Sequence, residues 1–253
     1  MSHLKAYHRP QTLLEALQLL NRPNALPLAG GTWLNANMPA EVEEVVDLQA
    51  LNLTQIQSTD HTLTLGAMVK LQEIVTYTAS AAEGTVFSLL HQTTLLEGAN
   101  TMRHVATIGG VISSGDSESE LLAAMLVCSA QVTLQNLSGT QTIPLSDLLS
   151  NRVTALKGSL IISATLHLNG QAAHDRVART PKDKPIVAAI ARYDGTDSWL
   201  ALCGVASTPI LMTPNQLDNL TPPDDFRGST EYRLAMARLL VGRVQQLASK
   251  SSS

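Results

Sequence analysis

Apolar and polar residues change rhythm along the chain, and each change marks an element. Leu13, Leu14, Leu17 and Leu20 recur at helical spacing, and Thr12-Leu13-Leu14-Glu15 has the form of a capping box that opens this helix. Ala25 to Leu28 reads as a short apolar strand running into Gly30-Gly31, and Glu43 to Leu48 as another. Thr62-Leu63-Thr64-Leu65 alternates as a half-buried strand does and stops at Gly66. Val69 to Tyr77 and Ser88 to Leu96 read as helices, and Thr107-Ile108-Gly109-Gly110 as a loop. Ser117-Glu118-Ser119-Glu120 has the form of a second capping box, opening a helix from Leu121 to Ser129.

Strands dominate the next stretch. Gln131 to Asn136 and Thr140 to Ile143 flank Ser138-Gly139, which predicts a hairpin, and Leu160 to Leu168 is an apolar strand rich in branched residues. Residues 170–185 are polar, carry most of the mid-chain basic charge and form the candidate domain boundary. Beyond them, Ile186 to Tyr193 and Trp199 to Ala206 predict a second hairpin around Asp194-Gly195. Tyr232 to Ala248 predicts a last helix with Met236, Leu240, Val244 and Leu247 on one face, before a tail, Lys250 to Ser253, that is expected to fray.

Composition narrows the function. At 253 residues the chain holds one large or two small domains. Seventeen Lys and Arg against 21 Asp and Glu give a formal net charge of −4, which argues against a nucleic-acid binder, and aromatics for base stacking are scarce at 3%. No apolar run approaches the roughly 20 residues that span a bilayer, and Met1 to Pro10 has no apolar signal segment, so no membrane association and a cytoplasmic location are expected. Cys128 and Cys203 sit in apolar surroundings and are expected to be buried. Two cysteines cannot build a four-cysteine iron–sulfur cluster, so any redox-metal chemistry must sit on another chain.

Two glycine pairs carry the candidate chemistry, Leu28-Ala29-Gly30-Gly31-Thr32 and Ala106-Thr107-Ile108-Gly109-Gly110. Adjacent glycines let the backbone approach an anion, and their N–H groups can form a concave nest for phosphate oxygens. No Lys or Arg lies between Arg22 and Lys70 or between Arg103 and Arg152. A phosphate held here would rest on amides and hydroxyls, which suits a permanently bound diphosphate better than phosphoryl transfer. Neither GxxxxGK[ST] nor GxGxxG is present. Each pair could equally be an ordinary tight turn, Glu118 and Glu120 a solvated helix start, and Arg176 and Arg179 plain surface charge.

In order and spacing, the motifs jointly resemble the FAD-binding medium subunit of the molybdenum hydroxylases, the xanthine dehydrogenase and carbon monoxide dehydrogenase family. Tyr7-His8-Arg9-Pro10 resembles the family's opening, Pro27 to Thr32 its first flavin motif, and Leu65-Gly66-Ala67-Met68 the strand end that follows. Thr107 to Gly110 resembles the second flavin motif. Arg176 to Thr180 with Asp183 resembles the basic strand near the flavin, and Arg227-Gly228-Ser229 with Glu231-Tyr232-Arg233 the C-terminal signature. The matches cover almost the whole chain.

The resemblance implies an α+β fold: a two-subdomain PCMH-type (vanillyl-alcohol oxidase-like) FAD-binding domain over 1–172, its subdomains about 1–55 and 56–172. A CO dehydrogenase flavoprotein-like C-terminal domain, a small three-stranded sheet with helices, would follow over 173–253. It implies FAD as cofactor, a molybdopterin-binding large subunit and a 2Fe-2S small subunit as partners, an acceptor such as NAD, and neither metal nor catalytic side chain on this chain. The implied cofactor ligands are Ala29, Gly30, Gly31, Thr32 and Trp33 from the first motif and Thr107, Ile108, Gly109, Gly110 and Val111 from the second. Glu120 stands where many members have aspartate and is implied near the ribityl chain, Ile161 against the ring, and Arg176 at the ring edge. Trp33 is the aromatic best placed near the cofactor. The sequence departs from the family pattern at Val111 (usually asparagine), at Glu120, and at Lys184-Pro185, where some members place an aromatic. A structural subunit that has lost flavin and a free-standing flavin oxidoreductase remain alternative readings.

Overall fold

The computed structural model describes residues 4–34 and 36–250; residues 251–253 of the tail expected to fray lie outside them. The first unit is a parallel sheet of β1 (Ala6–His8), β2 (Ala25–Leu28) and β3 (Glu44–Asp47) in the order β1-β3-β2. Helix α1 (Leu13–Leu20) makes the crossover and buries Ala16, Leu17 and Leu19 with Val46 and Leu48. Its N-terminus follows the sequence closely. Thr12 Oγ1 accepts from the Glu15 amide at 3.2 Å, while the Glu15 carboxylate takes the Gln11 amide at 3.1 Å, one residue earlier than the box pattern predicts.

The second unit is an antiparallel sheet of β4 (Ile56–Ser58), β5 (Thr62–Gly66), β6 (Gln131–Asn136), β7 (Gly139–Pro144) and β8 (Leu160–His167), ordered β4-β5-β8-β6-β7. The hairpin predicted around Ser138-Gly139 is present, and Asn136 Oδ1 closes its turn by accepting from the Ser138 and Gly139 amides. Around the sheet run α2 (Leu71–Tyr77), α3 (Val86–Leu96), α4 (Asn100–Arg103), α5 (Ile108–Ser114), α6 (Glu120–Val127), α7 (Leu145–Ser150) and α8 (Arg152–Leu156). The predicted loop at Thr107 to Gly110 is instead the start of α5: Thr107 caps it, its hydroxyl accepting from the Gly110 amide. Two glycines in a first turn hide this helix from propensity reasoning, because glycine disfavours helix and signals turns.

The third unit is an antiparallel sheet of β9 (Gln171–Val177), β10 (Val187–Tyr193), β11 (Ser198–Cys203) and β12 (Ile210–Met212), ordered β12-β11-β10-β9, with the long α9 (Thr230–Lys250) against it. It has four strands rather than the three expected, because the polar stretch 170–185 contains β9. This edge strand pairs with β10 over its full length, from Gln171↔Tyr193 to Val177↔Val187. An edge strand tolerates polar side chains that a central strand would not.

Both faces of this sheet are covered. Ala188, Ile190, Ala201 and Cys203 join the core that contains α6, while Val187, Ala189, Ala191, Leu200 and Leu202 pack with Leu240, Val241 and Val244 of α9. That explains why β10 shows no alternation. It also explains α6, whose residues Glu120 to Val127 are all buried, as in a helix enclosed on every side. On α9 the buried line runs through Ala237, Leu240, Val241, Val244 and Ala248; Leu247, placed on the apolar face by its spacing, is exposed.

Candidate flavin cleft

The first Gly-Gly loop leaves β2, turns through Gly31 at φ 69°, and runs into a turn in which Trp33 carbonyl oxygen accepts from the Ala36 and Asn37 amides. Among the described residues, none accepts a hydrogen bond from the backbone N–H of Gly30, Gly31 or Thr32. Three successive free amides around a left-handed glycine have the form of an anion nest. Gly30 itself is pressed on the backbone of the next motif. A Cβ there would lie 1.8 Å from the Val105 carbonyl oxygen.

The second Gly-Gly pair works differently. Its amides are already used: Ile108 donates to the Val69 carbonyl at 3.0 Å, Gly109 to that of Ala67 at 2.8 Å, Gly110 to Thr107 Oγ1 at 3.2 Å and Val111 to the Thr107 carbonyl at 3.0 Å. The expected second amide nest is therefore absent. Gly109 is needed for close approach, since a Cβ would stand 2.8 Å from the Ala67 carbonyl oxygen and 3.0 Å from its Cβ. The pair gives the cleft a wall free of side chains.

Between these loops lies a cavity of about 1360 Å³. That exceeds the roughly 300–1,000 Å³ of typical small-molecule sites and suits an extended dinucleotide. Of the residues predicted from sequence, Ala29, Gly30, Gly31, Thr32, Trp33, Thr107, Gly109, Gly110, Val111 and Ile161 line it. Trp33 is 53% exposed, so its ring is available to a ligand.

Three predicted residues lie elsewhere. The Ile108 side chain is buried in the core. Glu120 is the first residue of α6 and faces β9, where it pairs with His174 and with Arg176, whose Nε is 3.4 Å from its Oε1. Arg176 donates further to the carbonyls of Pro181 and Asp183. Neither Glu120 nor Arg176 lines the cavity. The alternation of β9 puts His174 and Arg176 on one face, towards α6, and a buried carboxylate there requires hydrogen-bonding or charged partners.

The acidic segment 116–120 is likewise not a solvated helix start. The cap of α6 is Ser119, not Ser117: its Oγ accepts from the Leu122 amide at 3.1 Å and donates to Glu97 Oε1 at 2.6 Å. Asp116 pairs with Lys184 at 3.2 Å, Glu118 with Arg227, and the Ser117 carbonyl accepts from the Gly204 amide at 2.8 Å. Asp116, Ser117, Glu118 and Glu120 thus all clasp the third unit.

Sequence reasoning missed Glu97, Asp116, Arg103 and Lys157 as cavity-lining residues, whereas Lys184, singled out as a departure from the family pattern, does line the cavity. Lys184 reaches in from the third unit, 3.3 Å from Glu97 Oε2 and 3.2 Å from Asp116 Oδ2. Burial acts to lower its pKa, but the two carboxylates outweigh burial and raise it above the ordinary lysine value, so its charge is permanent.

Residues 2–166 match the family described as the FAD binding domain in molybdopterin dehydrogenase. The chain is 25% identical to the glyceraldehyde dehydrogenase medium chain of Sulfolobus acidocaldarius, over 93% of this chain and 95% of that one. It is 26% identical to the carbon monoxide dehydrogenase medium chain of Afipia carboxidovorans, over 96% of each. The fold is similar to a chain of the carbon monoxide dehydrogenase of Hydrogenophaga pseudoflava, with a TM-score of 0.85 at 22% identity and 98% coverage of both. A dinucleotide-sized cleft with free glycine amides, in a chain matched over most of its length, leads to one assignment: this chain belongs to the family of FAD-binding domains of molybdopterin dehydrogenases.

Proposed function

We propose that this chain holds FAD in the cleft between its first and second units and serves as the flavoprotein component of a molybdenum hydroxylase assembly. The observation that carries this is that Gly30, Gly31 and Thr32, whose amides find no acceptor among the described residues, line a cleft of dinucleotide size. Those amides take the diphosphate, with the Thr32 hydroxyl beside them. Ala29 and the bare backbone of Thr107, Gly109 and Gly110 let the cofactor lie close to the chain, while Trp33, Val111 and Ile161 give it apolar contact. Bound FAD supplies the redox chemistry, as cofactors generally do, and the chain supplies binding and electrostatics.

The partners in this reading are a molybdopterin-binding large subunit and a 2Fe-2S small subunit, which deliver electrons, and the acceptor is a soluble one such as NAD. Two free, buried cysteines suit a reducing, cytoplasmic setting. The open cleft and unused amides disfavour the reading as a flavin-free structural subunit.

The test is the visible spectrum of the purified full-length chain, alone and with its partners. A yellow protein that releases one FAD per chain on denaturation is expected. A chain that stays colourless after incubation with excess FAD, partners included, would overturn the proposal.

A further inference from the structure

Lys184 is where the third unit reaches into the cleft. Its ammonium is held between Glu97 and Asp116 at 3.3 and 3.2 Å. Glu97 is itself fixed, because its Oε1 also accepts from Ser119 Oγ at 2.6 Å and the Leu121 amide at 3.1 Å. A flexible lysine stem is thereby held in one place. The three groups carry a net charge of −1, and fixed charges in a partly desolvated wall act over several ångströms.

Their position along the cleft gives the cluster its meaning. Gly30 rests on the backbone of Val105, so the free amides of the first loop lie beside the entry to α5. Asp116 follows the far end of α5, a helix of seven residues and therefore about 10 Å long. The cluster stands one short helix away from the amides that would hold a diphosphate, which is the reach of a ribityl chain.

We propose that Lys184, held by Glu97 and Asp116, sets the charge at the ring end of the cleft and so sets the reduction potential of the bound flavin. This rests on the reading that FAD occupies the cleft. Each electron entering a flavin adds negative charge. The ammonium favours the reduced form, and each carboxylate disfavours it. Removing the cation therefore lowers the midpoint potential, and removing one anion raises it.

The experiment uses the full-length, FAD-loaded chain and two readouts: the flavin midpoint potential from a spectroelectrochemical titration, and the FAD dissociation constant. Lys184→Met is expected to shift the midpoint to lower potential, and Lys184→Arg to return it towards the wild-type value. Asp116→Asn is expected to shift it the opposite way. Asparagine keeps the Oδ1 that accepts from the Glu118 amide at 2.9 Å, and Asp116 is 39% exposed, so this variant decides the matter even if Lys184→Met fails to fold. Unmoved potentials in Asp116→Asn and in whichever Lys184 variants retain flavin overturn the proposal, whatever happens to affinity. A wild-type chain that retains no flavin overturns the cofactor reading instead, which is a separate result.

Discussion

Replacing Gly30 by alanine should damage flavin binding far more than one methyl group would suggest. The added Cβ would lie 1.8 Å from the Val105 carbonyl oxygen, 2.6 Å from its carbon and 3.1 Å from the Ala106 Cα. Ordinary contact between heavy atoms lies near 3.5 Å, so the two loops must part by on the order of 1.5 Å. The neighbour is backbone, which cannot rotate out of the way as a side chain could. Overpacking of this kind costs about 1–3 kcal/mol of stability, and here the upper half of that range is expected. The same movement shifts the amides of Gly30 and Gly31 away from their ligand. A hydrogen bond to a charged group contributes roughly 1.5–3 kcal/mol. Loss of one such bond weakens FAD binding by about 10- to 100-fold.

The assay is a titration of flavin-stripped protein with FAD, followed by flavin fluorescence, with urea unfolding run in parallel. Gly242→Ala is the control: it lies inside α9 and its Cβ would meet no atom within 4 Å. That variant should gain roughly 0.5–1 kcal/mol of stability from helix preference and leave FAD affinity unchanged. A Gly30→Ala protein that binds FAD with wild-type affinity would refute the assignment of this loop as the anion cradle.

Three further outcomes follow from the same structure. Arg233 is buried and donates to the carbonyls of Ile186 at 2.7 Å and Gly204 at 2.8 Å and, through its Nη2, to both oxygens of Asp225 at 2.8 Å. Arg233→Ala strands the buried Ile186 and Gly204 carbonyls and should cost about 1–3 kcal/mol for each in urea unfolding, and a loss under 1 kcal/mol in all would contradict the role given to it. The Arg227 amide, and then the Arg233 guanidinium, hold the Asp225 carboxyl below its ordinary value of 3.8. The stability it contributes is complete above that value and is lost as pH falls through the lower folded one. Asp225→Asn should therefore flatten the fall of stability in acid, and an unchanged acid profile would count against the pairing. Burial pushes the Cys128 thiol up to about 12 and that of Cys203 well above 9. A thiol reagent at pH 8 should find neither in the native protein and both of the chain's 2 cysteines after denaturation; rapid reaction with the folded chain would refute this burial.

Most long periodic segments were legible in advance. α1, β5, the β6–β7 hairpin, β8, the pairing of β10 with β11, and α9 all fall where the hydrophobic pattern puts them, to within a few residues. The short strands β2 and β3 were also read, but the three-residue strands Ala6–His8, Ile56–Ser58 and Ile210–Met212 were not, because so short a strand has no period to read. The two Gly-Gly motifs were found from residue types alone, and both line the cleft. Their roles were not separable in the sequence. Whether an amide is free depends on what lies opposite it, and only the fold sets Val69 and Ala67 against Ile108 and Gly109 while leaving Gly30 to Thr32 open.

The acidic segment shows the same division most clearly. The sequence alone established that residues 116–120 carry three carboxylates just before an apolar helix. It could not show that α6 would be enclosed on every side, with Glu120 inside the protein and no water to solvate it. Burial turned a helix start into a clasp, because a carboxylate out of water must find hydrogen-bonding or charged partners, and those available lay 54 to 109 residues away on the third unit. Local pattern determined the elements and the glycine motifs of the cofactor site. Long-range packing decided which amides stayed free, which carboxylates were paired, and that Lys184 would stand in the cleft.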